Sequence, residues 1–587
     1  MKSDHFWRFS FLGYAISILP LIVLFQLLRI QTDKEQIQMF IDQGKRFSGY
    51  YHTIEPARGQ IFDRYGHPIA GNKTVYEVGA ELYYVRNPET IAMALSVITD
   101  ADYNDVLEAA SIPPSPDAVY VVLAKGVSQD QAEQLKILVD QMQITYGNRK
   151  DEDAPSLRGL MFFPYLERMY PEKSTASNLV GFVNQEREGF YGVEAYYHNM
   201  LAGKEKVVWL PTDPNLVEGL PDTPGGVSLV LTIDREIQTS MEALVDKAMK
   251  QNGAESATIV VLDPETGEIM AMATTPRMDI NQYWRYAEVF PAPMPFNRAI
   301  SQSYEPGSVY KVLTMATGLD LGVITPDTEF IDTGTFEIAG AIIYNWNFGA
   351  WGPQNMIGCL QHSLNTCHAW VATQIGAQNF YAYMQKFGLG RSTGIDMAGE
   401  VSGRLKVPGD DDWYEADLVT NAFGQGVAAT PIQMISAISA LANDGKIMTP
   451  HIVHSMISDG VQHEIGYNLA AEPITPETAH TITEMLAQSL EVESSNALVP
   501  GYRVAGKTGT GEIPTPYGYT SYLTNTSFVG WGPADDPKFL VYVWLEKPTS
   551  SIWGSEVAAP VFRQAVEKLV VLMNLPPDDI RLELLGQ

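Results

Sequence analysis

The chain has 587 residues, of which 45% are hydrophobic and 18% are charged, so it can bury a large core and is not disordered throughout. Its 39 Lys and Arg residues against 69 Asp and Glu residues give a formal net charge of −30. This balance argues against a general nucleic-acid binder, which needs cations to replace phosphate counterions. Two cysteines exclude a disulfide-scaffolded module and a multi-cysteine zinc or iron–sulfur protein.

An uncharged apolar run, Phe9–Leu28, lies near the N-terminus. It has about the length that a bilayer core requires, roughly 20 residues. A cleaved signal peptide is the alternative, but the run is long for one and no A-x-A-like site follows it. We therefore predict a short cytoplasmic tail over 1–8 and a single membrane anchor over 9–28.

Turn and loop signals follow the predicted anchor. Gln31–Gln43 could extend as a juxtamembrane helix, and Arg58–Ala70 indicates two short strands around a turn. Gly147–Ser156 is charged and indicates a surface loop. The clearest domain boundary is Pro211–Gly226, which is rich in Pro, Gly and Asp.

The segment after this boundary has the pattern of an α+β domain. Hairpin-like strand pairs lie near its two ends, at Ala257–Asp263 with Glu268–Thr274 and at Ser527–Gly532 with Phe539–Leu545. Helices are predicted over Thr232–Gln251, Pro431–Asn443 and Pro476–Leu490, the last with Thr475 as its N-cap. Strands at both ends with helices between them indicate a sheet that is closed by its termini.

Three short motifs could carry chemistry. Ser308 precedes Lys311 by one helical turn, and a lysine of lowered pKa can activate a serine. Ser363-Leu364-Asn365 offers a hydroxyl and an amide that can relay a proton and bind a substrate amide. Lys507–Thr510 (KTGT) offers a cation and hydroxyls that can bind a carboxylate, and Gly509 would let a substrate backbone approach closely. A chance match and a helix-capping turn are the plain alternatives for the first two motifs.

Other interpretations of these regions stay open. Gly501–Thr508 fits the phosphate-binding pattern G-x-x-x-x-G-K-[ST], although the intervening YRVA favours a strand and Gly509–Gly518 has Gly and Pro where a helix should start. Cys359, His362, Cys367 and His368 could bind a metal, but their spacing matches no common zinc pattern. A disulfide between the cysteines requires them to lie within about 6 Å, and two buried free thiols are the favoured prediction. We predict no metal and no cofactor.

In chain order, the three motifs resemble the transpeptidase domain of penicillin-binding proteins. The segments Asn297-Arg298-Ala299, Tyr304–Gly307 and Gly424-Gln425-Gly426 are similar to the same family. Arg58–Gly66 (RGQIFDRYG) resembles the R-G-x-I-x-D-R-x-G signature of class B, the monofunctional high-molecular-weight members. The E-D-x-x-F-x-x-H pattern of a class A glycosyltransferase module is absent from the sequence.

The resemblance implies an α+β fold: a serine β-lactamase/transpeptidase-like domain, with an antiparallel sheet and a helical subdomain, on an elongated mixed α/β pedestal. The expected bounds are 29–226 for the pedestal, of the dimerisation type, 227–575 for the transpeptidase domain and 576–587 for a C-terminal tail. Four charged residues of the N-terminal half are expected to form ion pairs that lock the pedestal: Arg58, Asp63, Arg64 and Glu194.

The implied function is peptidoglycan D,D-transpeptidation through an acyl-serine intermediate, with stem peptides as substrates and β-lactams as ligands. The resemblance implies that Ser308 is the nucleophile, Lys311 the base and Ser363 the proton shuttle. It implies that Asn365 binds a substrate amide and that a substrate carboxylate is bound by Lys507, Thr508 and Thr510. The N–H groups of Ser308 and Thr510 would form the oxyanion hole. The resemblance also implies a cell-membrane protein with an extracytoplasmic catalytic ectodomain and a polytopic membrane glycosyltransferase partner, of the elongation or the division machinery.

Several alternatives remain at this stage. A D,D-carboxypeptidase or a β-lactamase would use water in place of the acceptor amine. A β-lactam sensor or scaffold would keep the fold without turnover, and an ATPase is the outsider that the phosphate-binding pattern suggests.

Overall fold

The computed structural model describes residues 6–34, 37–39, 49–115, 118–147, 154–211, 224–338, 340–493, 495–515 and 518–584. Most of the predicted loop at 147–156 and of the predicted boundary at 211–226 lies outside these ranges, as does much of the predicted juxtamembrane helix. The chain divides into two compact units, Met1–Ala57 with Gly203–Gly226, and Arg58–Ala202 with Val227–Gln587.

The strands are numbered here in chain order. They are β1 (Gly49–Ile54), β2 (Ile61–Phe62), β3 (Pro68–Glu81), β4 (Tyr120–Ser128), β5 (Leu160–Met169), β6 (Phe182–Val183), β7 (Gly189–Phe190), β8 (Lys206–Pro211), β9 (Ser228–Leu231), β10 (Ser256–Leu262), β11 (Ile269–Thr274), β12 (Phe330–Asp332), β13 (Thr335–Ile338), β14 (Ala341–Tyr344), β15 (Gly352–Gln354), β16 (Ile447–Met448), β17 (Val453–Ser458), β18 (Val461–Glu464), β19 (Leu469–Ala471), β20 (Ala505–Thr515), β21 (Gly518–Gly532) and β22 (Phe539–Glu546).

The α-helices are named by their ranges. They cover Phe6–Thr32, Pro88–Ile98, Tyr103–Ala110, Gln129–Tyr146, Ser177–Val180, Gly192–Tyr196, His198–Ala202, Arg235–Asn252, Tyr286–Val289, Arg298–Ser301, Lys311–Asp320, Met356–Gln361, Asn365–Ile375, Ala377–Lys386, Glu415–Asn421, Pro431–Ser439, Pro476–Val492, Gly554–Leu572 and Asp578–Leu584. Short 3-10 turns cover Leu82–Tyr84, Ile280–Arg285, Gly307–Tyr310 and Ala440–Ala442.

The smaller unit contains the N-terminal helix and one strand pair. The helix Phe6–Thr32 includes the apolar run Phe9–Leu28, and its side chains of Phe11 and Phe25 are exposed. β1 pairs with β8 in antiparallel register, Tyr51 opposite Trp209. Within the described residues, no helix combines the length and the apolar character that crossing a membrane demands.

In the larger unit, a seven-stranded sheet joins the two halves of the sequence. Its order is β18-β17-β9-β2-β3-β4, with β5 also paired to β3. β2 and β3 are antiparallel, so the predicted strand–turn–strand over Arg58–Ala70 is confirmed. β2 pairs in parallel with β9, so strands from before and after the predicted boundary lie in one sheet.

A buried charge cluster in this half consists of Arg58, Arg168 and Glu194, and we call it the arginine–glutamate triad. Glu194 Oε2 lies 2.6 Å from Arg58 Nη2, and its Oε1 lies 2.7 Å from Arg168 Nε. The predicted ion pairing of Arg58 and Glu194 is confirmed. Arg64 also forms an ion pair, with its Nη2 3.4 Å from Glu268 Oε2. Asp63 closes the β2–β3 turn, accepting hydrogen bonds from the backbone N–H groups of Tyr65 (2.9 Å) and His67 (2.7 Å), and its Oδ2 lies 2.8 Å from the His67 ring nitrogen Nδ1.

The second large sheet is five-stranded and antiparallel, in the order β11-β10-β22-β21-β20. The predicted hairpins, and the closure of the sheet by strands from both ends of the domain, are confirmed. Consecutive residues of β10, β11 and β22 are buried, and since alternate residues of a strand point to opposite faces, both faces of this sheet are covered. Ile259 and Val261 of β10 face the helices Arg235–Asn252 and Gly554–Leu572, whereas Val260 and Leu262 face the helical subdomain.

The predicted helices also form. Pro431–Ser439 continues into a 3-10 turn that ends at Ala442, and Pro476–Val492 begins with Thr475 as N-cap, whose side chain accepts from Thr478 N. The sequence prediction was wrong for Tyr502–Ala505, since β20 begins only at Ala505. The N–H of Arg503 donates to Asp578 Oδ2 at 2.5 Å, so this backbone bonds to a side chain of the C-terminal helix rather than to a neighbouring strand.

Candidate active site

Ser308 lies in a tight 3-10 turn, Gly307–Tyr310, immediately before the helix Lys311–Asp320. Gly307 has a φ of +59°, and a Cβ there would lie 2.6 Å from the carbonyl oxygen of Thr510. The N–H of Gly307 donates to Gly424 O at 3.1 Å. The turn is therefore held between the Gly424 backbone and β20, which leaves Ser308 partly exposed at the edge of the sheet.

Lys311 is fully buried one turn beyond Ser308. Its Nζ lies 2.6 Å from Ser363 O, 3.1 Å from Ser363 Oγ and 2.7 Å from Asn365 Oδ1. The structure thus brings the first and second predicted motifs into direct contact through this lysine. The hydrogen bonds of Nζ in the described structure go to Ser363 and Asn365, and none goes to Ser308.

The Ser-Leu-Asn motif forms a strained turn between the helices Met356–Gln361 and Asn365–Ile375. Ser363 has a φ of +52°, a left-handed conformation that costs free energy for a residue with a side chain. The turn is clamped by a disulfide between Cys359 and Cys367, whose Cα atoms are 6.1 Å apart. The prediction of two free thiols was wrong, because the N–H of Leu364 bonds back to Cys359 O at 3.0 Å and folds the two helix ends together.

The two histidines near this turn have other contacts. His368 Nδ1 lies 2.8 Å from Leu364 O, and the His362 ring stacks on Trp351 with 3.9 Å between ring centroids. Since both cysteine sulfurs are bonded to each other, they are not available as thiolate ligands for the metal cluster that the sequence suggested.

Both ends of the Asn365 amide are engaged within the protein. Oδ1 accepts from Lys311 Nζ, and Nδ2 donates to Tyr344 O at 3.0 Å. In this structure, the amide therefore links the buried lysine to the end of β14.

The Lys507–Thr510 motif lies inside β20, with Lys507 buried. Lys507 Nζ lies 3.1 Å from Thr508 Oγ1, and Thr510 Oγ1 accepts from Gly554 N at 3.1 Å. A Cβ at Gly509 would lie 2.8 Å from Val309 Cγ1, so packing of the Ser308 turn on the strand itself requires this glycine. Because β20 continues to Thr515 with no helix after Thr508, the phosphate-binding alternative does not fit the structure.

The two buried lysines have perturbed titration. Burial lowers the pKa of Lys311 well below its ordinary value, and the charge of Lys507 lowers it further. Burial also lowers the pKa of Lys507 to about 8, against a smaller opposing effect of Glu493. A lowered pKa makes the neutral amine, which can accept a proton, more accessible than it is in an ordinary lysine.

Sequence reasoning missed two tryptophans beside the site. Trp346 Nε1 donates to His362 O at 3.1 Å, next to Ser363, and the ring meets Trp553 edge-to-face with 5.1 Å between centroids. Trp553 directly precedes Gly554, which bonds to Thr510. The aromatic-rich stretch Tyr344–Trp351 (YNWNFGAW) was the available signal for one half of this pair.

Comparisons with known proteins match both halves of the chain. The penicillin-binding protein transpeptidase domain matches residues 257–567, and the penicillin-binding protein dimerisation domain matches residues 53–215. Stage V sporulation protein D of Bacillus subtilis (strain 168) is 30% identical over 548 residues, covering 90% of this chain and 80% of that protein. Peptidoglycan D,D-transpeptidase FtsI of Escherichia coli (strain K12) is 26% identical, covering 97% and 93%.

Solved structures share the fold. Penicillin-binding protein 2X from Streptococcus thermophilus has a TM-score of 0.74 at 20% identity, covering 90% of this chain and 80% of that one. Penicillin-binding protein 3 from Mycobacterium tuberculosis, in its apo form, has a TM-score of 0.67 at 24% identity, covering 90% and 98%.

The α+β fold and the matched domains define a transpeptidase of the acyl-serine type. The chain belongs to the penicillin-binding protein transpeptidase family. With a dimerisation domain before its transpeptidase domain, it is a class B member and a peptidoglycan D,D-transpeptidase.

Proposed function

We propose that this chain cross-links peptidoglycan stem peptides through Ser308, with Lys311 as the base and Ser363 as the proton relay. The observation that carries this assignment is the buried Lys311 Nζ, which lies between Ser363 and Asn365 one turn after Ser308. No carboxylate of the described residues forms an ion pair with this lysine, and Lys507 opposes its protonation.

The hydrogen bonds around Lys311 suit a neutral amine. Such an amine has two N–H donors and one lone pair. In the proposed neutral form, the two N–H groups donate to Ser363 O and Asn365 Oδ1, both of which only accept, and the lone pair accepts from the Ser363 hydroxyl at 3.1 Å, whereas an ammonium would donate to all three oxygens. We propose that Ser308 Oγ comes within hydrogen-bond distance of Lys311 Nζ in the substrate complex, since catalytic hydrogen bonds often tighten only there.

The reaction then has two halves. Ser308 Oγ attacks the penultimate D-Ala carbonyl and its proton passes to Lys311. The amide C–N bond then breaks as Ser363 delivers its proton to the departing D-Ala amine and takes the proton of Lys311 in return. In the second half, an amine of a neighbouring stem attacks the acyl-serine, loses a proton to the same relay and displaces Ser308, which regains its proton. The N–H groups of Ser308 and Thr510 would stabilise each oxyanion, by about 3–4 kcal/mol per donor.

Lys507, Thr508 and Thr510 are proposed to bind the terminal carboxylate of the donor peptide. Lys507 Nζ and Thr508 Oγ1 lie 3.1 Å apart, so one carboxylate can contact both. Thr510 already accepts from Gly554 N, and its hydroxyl proton is therefore free to be donated to a substrate oxygen. Asn365 binds a substrate amide only if it exchanges one of its present partners.

Labelling with a fluorescent penicillin, followed by intact mass and peptide mapping, tests the nucleophile. The wild-type protein should carry one adduct on the peptide that contains Ser308, and Ser308→Ala should carry none. A matched control is Ser301→Ala, which removes an exposed hydroxyl that bonds to Gly399 O. An adduct that persists in Ser308→Ala would overturn the assignment.

Product analysis separates the alternative reactions. With a donor pentapeptide and an acceptor amine, a transpeptidase yields the cross-linked product, whereas a carboxypeptidase yields only the shortened peptide. A penicillin adduct without either product would indicate a sensor or scaffold.

We also propose that Phe9–Leu28 anchors the chain in the cell membrane, with 29–226 as pedestal, 227–575 as transpeptidase domain and the catalytic part outside the cytoplasm. The support is the uncharged run itself, which the helix Phe6–Thr32 contains. Deletion of 1–28 should move the protein from the membrane fraction to the soluble fraction. A deletion variant that stays with the membrane would contradict the anchor.

The proposed partner is a polytopic membrane glycosyltransferase that the pedestal contacts. The support is the dimerisation-domain match over residues 53–215 in a chain without a class A glycosyltransferase pattern. Site-specific cross-linking from exposed pedestal positions should capture that enzyme, and its absence from the cross-linked products would contradict the proposal.

A further inference from the structure

A buried carboxylate behind the Ser-Leu-Asn turn has no part in the mechanism above. Asp332 ends β12 and is 1% exposed. It accepts four hydrogen bonds, at Oδ1 from Gly334 N (3.1 Å) and Thr366 Oγ1 (2.8 Å), and at Oδ2 from Asn345 Nδ2 (2.8 Å) and Trp351 N (2.8 Å). All four donors are neutral, so the carboxylate organises polar groups rather than balancing a cation.

Two of these donors adjoin the residues that hold Lys311. Thr366 directly follows Asn365, and its N–H donates to Asn345 Oδ1 at 3.3 Å. Asn345 directly follows Tyr344, whose carbonyl accepts from Asn365 Nδ2 at 3.0 Å. Asp332 therefore fixes both the residue after Asn365 and the residue after the carbonyl that Asn365 binds.

We propose that Asp332 is a positioning residue for acyl transfer: through Asn345 and Thr366 it holds Asn365 Oδ1 2.7 Å from Lys311 Nζ. This inference rests on the proposed role of Lys311 as the base. Asp332 touches neither substrate nor Ser308. It acts only by holding Asn345 and Thr366 in place behind the Ser-Leu-Asn turn. The same network orients the loop that presents Trp346, since Asn345 and Trp351 lie on either side of it.

The variant Asp332→Asn tests the network with almost no change in shape. Each carboxylate oxygen of Asp332 accepts from two donors. In Asp332→Asn, an amide nitrogen replaces one of these oxygens, and because it is itself a donor it cannot accept from the two donors that it faces. We expect the first-order rate of acylation by a fluorescent penicillin to fall at least tenfold, while the dissociation constant of the non-covalent complex changes less than twofold, because the displaced groups act on the chemical step.

Asp396→Asn is the matched control for a general loss of stability. Asp396 is also buried and accepts from Ile452 N (2.6 Å), Val453 N (3.0 Å) and Tyr197 OH (2.8 Å), but it has no bond to the residues around Lys311. We expect Asp396→Asn to lower the melting temperature and leave the acylation rate of the folded protein unchanged. A folded Asp332→Asn that acylates at the wild-type rate would overturn the inference.

A second pair of variants applies if Asp332→Asn does not fold. Thr366→Ser keeps the hydroxyl that donates to Asp332, and Thr366→Val removes it at nearly constant volume. The inference predicts a several-fold slower acylation step for Thr366→Val and a near wild-type step for Thr366→Ser, and equal rates would overturn it. Failure of the proposed function would differ, because wild-type protein would then show no adduct at Ser308.

Discussion

Two buried charge clusters in the larger unit differ in how their charges are balanced. In the arginine–glutamate triad, two guanidinium groups enclose one carboxylate, and Tyr170 OH donates to Glu194 Oε1 at 3.3 Å. In the candidate active site, Lys311 and Lys507 are buried near each other, and neither forms an ion pair among the described residues. Both clusters bear net positive charge, but only the triad contains its own counterion.

The titration of the two clusters shows the consequence. Burial by itself raises the pKa of Glu194, and Arg168 and Arg58 outweigh it, so that this pKa lies below the ordinary value. Burial lowers the pKa of Lys311 and of Lys507, the charge of Lys507 lowers that of Lys311 further, and Glu493 only partly opposes the shift at Lys507. The triad therefore keeps its charges and stabilises the fold, whereas the lysine pair is poised to exchange protons at some cost in stability.

The largest expected effect is on catalysis at Lys311. Lys311→Met fills the same buried volume without an amine, so the rate of acylation by a fluorescent penicillin should fall by about 10²–10⁴-fold. The melting temperature should change only modestly, because the loss of the hydrogen bonds to Ser363 O and Asn365 Oδ1 is offset by the removal of a buried amine and leaves no buried counterion unpaired. Wild-type acylation in Lys311→Met would break the comparison, since the buried lysine would then be structural like the triad.

Removal of Glu194, the counterion of the arginine–glutamate triad, should lower stability and leave catalysis unchanged. Glu194→Gln leaves Arg58 and Arg168 uncompensated in the interior, and we expect a loss of about 3–5 kcal/mol in the free energy of unfolding. Acylation per folded molecule should stay unchanged. Glu167→Gln is the matched control, because Glu167 pairs with Lys73 at the surface and should contribute less than about 1 kcal/mol.

The pH dependence of this loss has a definite sign. The folded pKa of Glu194 is lowered, so its stabilisation is present above the ordinary value of 4.5 and is lost as the pH falls through the folded value. Urea unfolding of wild type and Glu194→Gln should therefore converge below pH 4.5. A difference that stays constant into that range would contradict the role of the ionised carboxylate.

A smaller effect of opposite sign is expected at Lys507. Its folded pKa of about 8 lies below the ordinary 10.5, so the buried cation costs about 3 kcal/mol below pH 8, and this cost disappears as the pH rises toward 10.5. Lys507→Met should be more stable than wild type at pH 7 and equal to it near pH 10.5, while acylation slows. Urea unfolding at pH 7 and near pH 10.5 measures the two stabilities, and labelling with a fluorescent penicillin measures acylation. A variant less stable than wild type at pH 7 would contradict the expected cost.

The smallest expected effect concerns the Cys359–Cys367 disulfide, which clamps the turn beside Lys311. The arginine–glutamate triad contains no such cross-link. The double variant Cys359→Ser with Cys367→Ser opens a loop of sequence separation 8 and should lose about 2 kcal/mol. Acylation should slow modestly, because Ser363 and Asn365 lie within that loop. A reductant should produce the same loss in wild type and none in the double variant, and an equal response of both would indicate that the clamp does not form.

The sequence was informative where one local pattern decides the outcome. The hairpin β10–β11, the strand β22 and the helix capped by Thr475 were predicted with nearly correct bounds, because alternation, turns and caps act over a few residues. The prediction for β21 found its end at Gly532 but missed its first nine residues, since the strand begins at Gly518. The order of three motifs was enough to suggest the family. The start of β20 was wrong because the partner of the Arg503 N–H, Asp578, is distant in sequence.

What the sequence by itself determined was the set of chemical groups and the α+β class. Only the tertiary structure decided which of these groups meet: that Cys359 and Cys367 are bonded, that Asn365 is shared between Lys311 and Tyr344 O, and that Asp332 lies behind it. The physical reason is that hydrogen-bond partners and burial depend on contacts between segments far apart in the chain. The low pKa of Lys311 has the same origin, since it requires both an interior without water and the charge of Lys507 from another strand.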